Sequence, residues 1–334
     1  MSKFIKIFFV LALITPATIF SYEFSAMTLN VDNLFDTLDD VKKDDKAYLP
    51  IQFKQSDAHK KSCNRIRVNS WKNECLFLDW NEDTKNAKLR NIANSIISYG
   101  SNGPDIIALQ EVENNNILNQ LLELLRPYGF VDSVLIEGKD YRGIDTALIT
   151  KFKILDSKLH YIKFSGEFEG KDTRPILDAT LEINGEKIKI YNVHFPSGFH
   201  DVSMRVDSLN VLSKLLNGHD YPTIALGDFN VNTKEDNQLD IYQSQEAFWS
   251  VAHIFGCKDC KGSFYYNYGK TWEFLDTIFL SKDRNILYIK DSIDIYRTKS
   301  NSYSDTGKPK NFNPTKKYGV SDHLPMVAKF RIIN

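Results

Sequence analysis

Residues 224–232 read IALGDFNVN. Ile224 to Leu226 have the apolar character of a buried strand, and Gly227 ends the run just before Asp228-Phe229-Asn230. Side chains alternate faces along an extended chain, so Asp228 and Asn230 project to one side and Phe229 to the other, back toward a core. Alone, the segment fits a turn, for which Asp, Asn and Gly are ordinary residues. It equally fits a strand end that delivers two oxygen-bearing groups to a ligand, as strand ends do in open α/β folds.

Working outward, the same pattern recurs. Thr28-Leu29-Asn30 leads into Val31-Asp32-Asn33, and IIALQE ends in Gln110 and Glu111. KIYNVHF ends in Asn192 and His194, EFLDTIFLS carries Asp276, and YGVSDHLP carries Asp322 and His323. Singly, each fits a hydrogen-bonded structural role. A buried carboxylate is costly unless it is paired or bound to a cation. Six such stretches in one chain are therefore better explained by convergence on one polar site.

Strand-like stretches are expected at Phe24–Val31, Asp105–Gln110, Phe130–Ile136, Thr146–Thr150, Ile176–Ile183, Lys187–Val193, Thr223–Leu226, Phe274–Leu280 and Met326–Ile332. Three apolar stripes at helical spacing lie between them: Leu89, Ile92, Ala93, Ile96 and Ile97; Ile117, Leu118, Leu121, Leu122 and Leu125; and Val202, Val206, Leu209, Leu212 and Leu215. Few helices among many strands indicate a mixed α/β chain with large sheets, not a regular βαβ repeat. Residues 39–72, with the charge runs DDVKKDDK and HKKSCNRIR, are expected as a long solvated connection, and residues 297–317 as a second polar loop.

The 334 residues, 42% apolar and 25% charged, suit a folded chain with a sizeable core. A net charge of −1 excludes a global positive field for nucleic acid or acidic lipid, though not a local basic groove. Residues 1–21 place Lys3 and Lys6 ahead of an apolar run from Ile7 to Ile14 and small residues near Ser21, the layout of a signal peptide. The run is too short for a membrane span, so a secreted or periplasmic location is expected. Cys63, Cys75, Cys257 and Cys260 fit an oxidising compartment. The pairing 63–75 with 257–260 is preferred because both loops stay short; a redox or zinc role for Cys257 and Cys260 is the alternative.

Carboxylates and amides, with no cysteine among them, prefer hard cations such as Mg²⁺, Mn²⁺ or Ca²⁺. With two histidines for proton transfer or for hydrogen bonds to a phosphate, the set points to metal-assisted attack of water on a phosphoester.

In order, LNVDNLF, LQEVE, YNVHFPSG, GDFNVN, WEFLDTIFLS and SDHLP resemble the motif series of the endonuclease/exonuclease/phosphatase superfamily. The likeness runs from about Thr28 to Phe330, and NLFDTLDD resembles its secreted bacterial branch. The resemblance implies a deoxyribonuclease I-like four-layer α/β/β/α sandwich, occupying residues 22–334, with its site at one edge. It implies Glu111 as the leading metal ligand, with Asn30 and Asp322 near the ion. Asp228 would orient or deprotonate the attacking water, and Asn230 would hold the phosphate or the nucleophile. His323 would contact the scissile phosphate, with Asp276 fixing its tautomer, and His194 would act on the phosphate or leaving oxygen. A histidine at position 194 resembles the deoxyribonuclease I and sphingomyelinase branches; the apurinic endonucleases carry Asn there. Arg142 and Arg174 are candidates to grip phosphate, and Asp145 to orient His194. Thr277 stands where the repair nucleases usually carry an aromatic residue, which weakens the transfer of their substrate details.

The expected activity is hydrolysis of DNA, and of RNA as a further substrate, by an exported monomeric endonuclease that uses Mg²⁺ or else Mn²⁺ or Ca²⁺. The alternative is a secreted sphingomyelinase of the phospholipase C type or a phosphoinositide phosphatase. The aromatic stretch GSFYYNYGKTW fits base stacking, a lipid wedge or plain packing. A lipid substrate is the lesser expectation, because FYYNY carries tyrosines instead of Phe, Ile and Leu. A binding protein that had lost catalysis would show damage to the polar set, and none is visible.

Overall fold

In a computed structural model of the chain, residues 21–257, 259–282 and 284–333 are described. The expected signal peptide therefore lies almost wholly outside the described residues. Two sheets dominate. The first has seven strands: in order Ile286–Tyr288, Met326–Ile332, Tyr22–Leu34, Ile106–Val112, Asp145–Thr150 and Asp132–Leu135, with Asp294–Ile295 also paired to Met326–Ile332. The second runs Lys153–His160, Ile176–Ile183, Glu186–His194, Thr223–Asp228, Asp276–Ser281 and Trp249–Val251. Tyr22–Leu34 with Ile106–Val112, and Glu186–His194 with Thr223–Asp228, are parallel pairs; the other pairings are antiparallel.

The period-two pattern explains the layering. Phe24, Ala26, Ile106, Ala108 and Leu148 face Leu181, Ile190, Ile224, Leu226 and Ile278 across the space between the sheets. The alternate residues Met27, Leu29, Ile107 and Leu109 turn outward and pack on helices Glu82–Ile97 and Asn115–Leu125 through Leu89, Ile92, Ile117 and Leu121. On the other side Tyr191, Val193, Ala225 and Phe279 receive Met204, Leu209 and Leu212 of helix Val202–Leu215. This is the expected four-layer order. The three helices start where Asn81, Asn114 and Asp201 side chains accept from backbone N–H groups of Thr84, Ile117 and Ser203.

Two expectations change. Lys153–His160, which is not among the expected strands, is an edge strand in which no residue is fully buried and only Ile154 and Leu159 pack partly against the core. The stretch 39–72 is not a plain solvated connection. It carries helix Asp57–Cys63, helix Asn69–Phe77 and short 3₁₀ turns at Lys46–Tyr48 and Ile51–Lys54. Its order comes from a Cys63–Cys75 disulfide and from buried Lys54, whose ammonium donates to the carbonyls of Ala47 and Leu78 at 2.6 Å each. Neither device produces an apolar stripe. Cys257 is bonded to Cys260, and among the described residues no cysteine is free.

Candidate active site

The apolar layer between the sheets becomes polar at one end. In the second sheet, His194 is in register with Asp228 and Asp228 with Asp276, so three neighbouring strands present one row. The first sheet answers with Asn30 opposite Gln110. These positions continue the inward-facing rows Ala26-Thr28-Asn30, Ile190-Asn192-His194 and Ile224-Leu226-Asp228. Asn192 ties the sheets together, donating to the carbonyls of Leu109 (2.9 Å) and Ala147 (2.8 Å) and accepting from Gln110 Nε2 (2.7 Å). Beyond that tie, Asn30 Nδ2 lies 3.1 Å from Asp228 Oδ2 and 3.3 Å from Glu111 Oε1. His194 Nε2 stands 3.6 Å from Asp228 Oδ2 and 3.8 Å from Glu111 Oε1. His323 Nδ1 meets Asp276 Oδ2 at 2.6 Å, and its Nε2 is 3.9 Å from Asp322 Oδ1. Asp228, Asp276 and His323 each bring one ligating atom within 4.8 Å of the other two.

Local backbone chemistry makes the convergence possible. A Cβ on Gly227 would stand 2.1 Å from the Val193 carbonyl, so only glycine lets the parallel strands bring His194 beside Asp228. Glu111 takes a left-handed φ of 66° at a register shift in its strand, which interrupts the alternation where its carboxylate is needed. Its Oε2 accepts from the backbone N–H of Asn33, which is itself left-handed. Ser321 Oγ donates to the Asn30 carbonyl and accepts from His323 N–H, linking the last loop to the first strand.

Lys88 is a contributor the sequence reading did not single out. It is buried, donates to the Asp32 carbonyl, and lies over the rings of Trp80 and Phe312 at 5.9 and 5.4 Å. Its signal was present: a lysine on the apolar side of helix Glu82–Ile97, next to Leu89 and Ile92.

Electrostatics separate the two histidines. Burial, then Arg174 and Arg142, push His194 well below the usual imidazole range, so it is neutral. Burial alone would lower His323 too, but Asp276, Asp322 and Asp228 overturn it and hold His323 well above its ordinary value. Burial and then the Asp276 charge raise Asp228 to about 7. Burial and then the Asp32 charge raise Asp322 to about 7.

Some candidates sit elsewhere. Asp145 spends its carboxylate on the Gly138 N–H at 2.9 Å, and His194 Nδ1 is buried without a hydrogen-bond partner, so Asp145 does not orient His194. Arg174 is buried, not presented to a ligand: it donates to the carbonyls of His194 and Phe195 and to Asp140 Oδ2. Arg142 is partly exposed and 3.6 Å from Asp140. Asn230 donates from its backbone N–H to Asp228 Oδ1 and from its amide to the Phe195 carbonyl, which leaves its own oxygen unused by these bonds. The aromatic stretch forms a hairpin of Phe264–Tyr266 with Thr271–Glu273; Phe264 bridges to His323, ring centroids 5.0 Å apart, and Tyr268 is 93% exposed at the turn.

The donor set fits a hard divalent cation. Glu111 and Asp322 supply carboxylate oxygens, and the raised values of Asp228 and Asp322 reflect burial first and then neighbouring negative charge that His323 only partly offsets. Asn30 adjoins the same place but turns its N–H side to the carboxylates, its oxygen accepting from Asp32 N–H.

Comparisons with known proteins agree with this layout. No curated protein matches the chain. Among solved structures, an endonuclease/exonuclease/phosphatase from Bacteroides vulgatus is 16% identical over 93% of this chain and 99% of its own, with a TM-score of 0.58. A mannosyl-6-phosphatase from Bacteroides thetaiotaomicron is 15% identical over 92% and 99%, TM-score 0.54. D. rerio TDP2 complexed with a single-strand DNA product is 18% identical over 92% and 98%, TM-score 0.53. At these identities the likeness shows the fold: mixed α/β, two main sheets flanked by helices. The model of the endonuclease/exonuclease/phosphatase family matches residues 77–331, about three quarters of the sequence, and the chain belongs to that family of phosphoester hydrolases.

Proposed function

We propose that the chain is an exported, divalent-cation-dependent nuclease that hydrolyses phosphodiesters of DNA, and of RNA as a further substrate, acting as a monomer. The observation that carries the reading is the meeting of Glu111, Asp228 and His194 with the His323–Asp276 pair at one end of the sandwich. A cation held by Glu111 and Asp322, with Mg²⁺ the first choice, would supply positive charge at a phosphoryl oxygen. The chain's own groups do the rest. Asp228, with a value near neutrality, takes the proton of the attacking water. Asn230 positions that water or the phosphate through its free amide oxygen or N–H. His323, kept protonated by Asp276, donates from Nε2 to a phosphate oxygen, where the charge of the transition state accumulates. His194, neutral and next to Glu111 and Asp228, offers Nε2 for a hydrogen bond to the phosphate or leaving oxygen without adding charge.

A diester of a polymer is favoured over a small monoester by the surroundings of His323. The hairpin that touches it exposes Tyr266 and Tyr268, faces on which bases can stack. Arg297 and Lys308 lie over Trp272 and Tyr265 of the same hairpin, at 5.6 and 3.6 Å. Residues 297–317 carry six lysines and arginines against Asp305 alone, a local basic field on a chain of net charge −1. Export is supported by the signal-peptide pattern of residues 1–21 and by the two disulfides.

The test is to incubate the purified protein, without residues 1–21, with plasmid DNA, RNA, sphingomyelin and a sugar phosphate, in Mg²⁺, Ca²⁺ or EDTA. Cation-dependent cutting of nucleic acid supports the reading. Hydrolysis of the lipid or the monoester with nucleic acid untouched refutes it.

A further inference from the structure

A second acidic group lies away from the site described above, where the loop after the first strand meets the start of helix Asn115–Leu125. Asp36, Asp45 and Glu113 are 3%, 1% and 3% exposed, and Asp40 is partly buried. They are tied to each other. Asp36 N–H donates to Glu113 Oε2 and Asp40 N–H to Asp45 Oδ2, both at 2.7 Å. Asn114 Nδ2 spans Asp36 Oδ2 and Asp40 Oδ2 at 3.2 and 3.3 Å, and Asn116 Nδ2 reaches Asp36 Oδ2 at 2.7 Å.

Two oxygens in this group are left over. Glu113 Oε1 and Asp45 Oδ1 are both buried and have no hydrogen-bond partner. A buried carboxylate oxygen with neither donor nor countercharge is strongly unfavourable. The charges that raise Glu113 include Asp36, Asp40 and Asp45, and those that raise Asp45 include Asp39 and Asp40, all of them carboxylates. Of the two lysines of the loop, Lys42 is exposed and Lys43 donates to the Asp140 carbonyl. The component that would satisfy both orphan oxygens and the surplus negative charge is a metal ion.

We propose that Asp36, Asp40, Asp45 and Glu113 form a calcium site that fastens the 36–45 loop to the strand–helix junction at Glu113. Four carboxylates, with no nitrogen or sulfur donor among them, suit a hard cation and not zinc. Calcium is favoured over magnesium because it accepts many oxygens in irregular geometry and gives up its water readily. No three of these carboxylates place ligating atoms within 4.8 Å of one another, as Asp228, Asp276 and His323 do. Bringing these carboxylates onto one ion would draw the 36–45 loop inward.

The site is independent of the nuclease reading, and its test needs no substrate. Protein stripped with EDTA and dialysed is titrated with Ca²⁺ or Mg²⁺ by calorimetry, and its thermal unfolding is followed. Wild type and Glu111→Gln are expected to bind calcium with Kd of about 10⁻⁵–10⁻³ M and to gain several degrees in Tm at saturation, with a much smaller gain in magnesium. Asp45→Asn and Glu113→Gln are expected to lose the calcium gain while melting no lower than wild type without cation, because neither amide can become a buried charge. Glu113→Gln keeps an acceptor for Asp36 N–H and carries the test if Asp45→Asn does not fold. No calcium gain in wild type, a gain that persists in Glu113→Gln, or a gain lost in Glu111→Gln alone would each overturn the proposal.

Discussion

His323 Nδ1 lies 2.6 Å from Asp276 Oδ2, and the Asp276 side chain is fully buried. The carboxylate therefore fixes which ring nitrogen points to the cleft and keeps the imidazole charged. Asp276→Asn preserves shape but removes that charge. Activity is expected to fall by about 10²–10⁴-fold. The group needed in its protonated form then loses its proton at lower pH, so the alkaline limb of the pH profile moves toward acid. A profile that drops in height without moving would mean that Asp276 only supports packing.

Asp228 gives the acid limb. Burial and the Asp276 charge raise it to about 7, and a base works only when deprotonated, so kcat/KM should climb through about pH 7 at low cation concentration. Positive charge near the carboxylates favours their ionised forms, so saturating Mg²⁺ should shift the limb to lower pH. Rate–pH profiles at two cation concentrations check the sign.

Arg174 and Arg142 should part company. Arg174 is buried and holds the backbone of His194 and Phe195 together with Asp140. Arg174→Met removes the closer of the two arginines that face Asp140 and frees the carbonyls of residues 194 and 195, and should cost roughly 3–5 kcal/mol in urea unfolding. Arg142, partly exposed, should cost under about 1 kcal/mol when changed to Ala, with any effect confined to KM and its salt dependence.

Stability should depend on pH through the second acidic group. Burial, partly opposed by the Asp36 N–H and reinforced by neighbouring carboxylates, raises Glu113 to about 9; burial raises Asp45 to about 6. A carboxyl whose value is raised on folding contributes stability below its unfolded value, and that contribution is lost as pH climbs through the folded value. Without divalent cation, Tm should therefore decline from about pH 5 toward pH 9. Glu113→Gln should flatten the decline, as should calcium.

Much of the fold was legible because inward rows keep a strict period of two until they reach the site: Ala26-Thr28-Asn30 and Ile224-Leu226-Asp228 carry apolar and then polar residues on one face. The meeting of His194, Asp228 and Asp276 follows from that pattern once the strands are in register. What stayed hidden depends on distant partners. Asp40 and Asp45 look like part of a solvated charge run, but the Asn114 side chain, some 70 residues on, reaches Asp40, whose N–H donates to Asp45. Arg174 reads as a candidate to grip phosphate, until the carbonyls of residues 194 and 195 take up its guanidinium. The edge strand Lys153–His160 has little core to face and so writes no alternation.

The most direct measurement is the initial rate of plasmid cleavage against Mg²⁺ concentration for wild type and Glu111→Gln, with thermal melts to show that both are folded. The account predicts a saturable rate for wild type, abolished by EDTA, and a loss of at least about 10²-fold in Glu111→Gln at equal stability. Cleavage that is undiminished in EDTA, or that is equal in the two proteins, would contradict it.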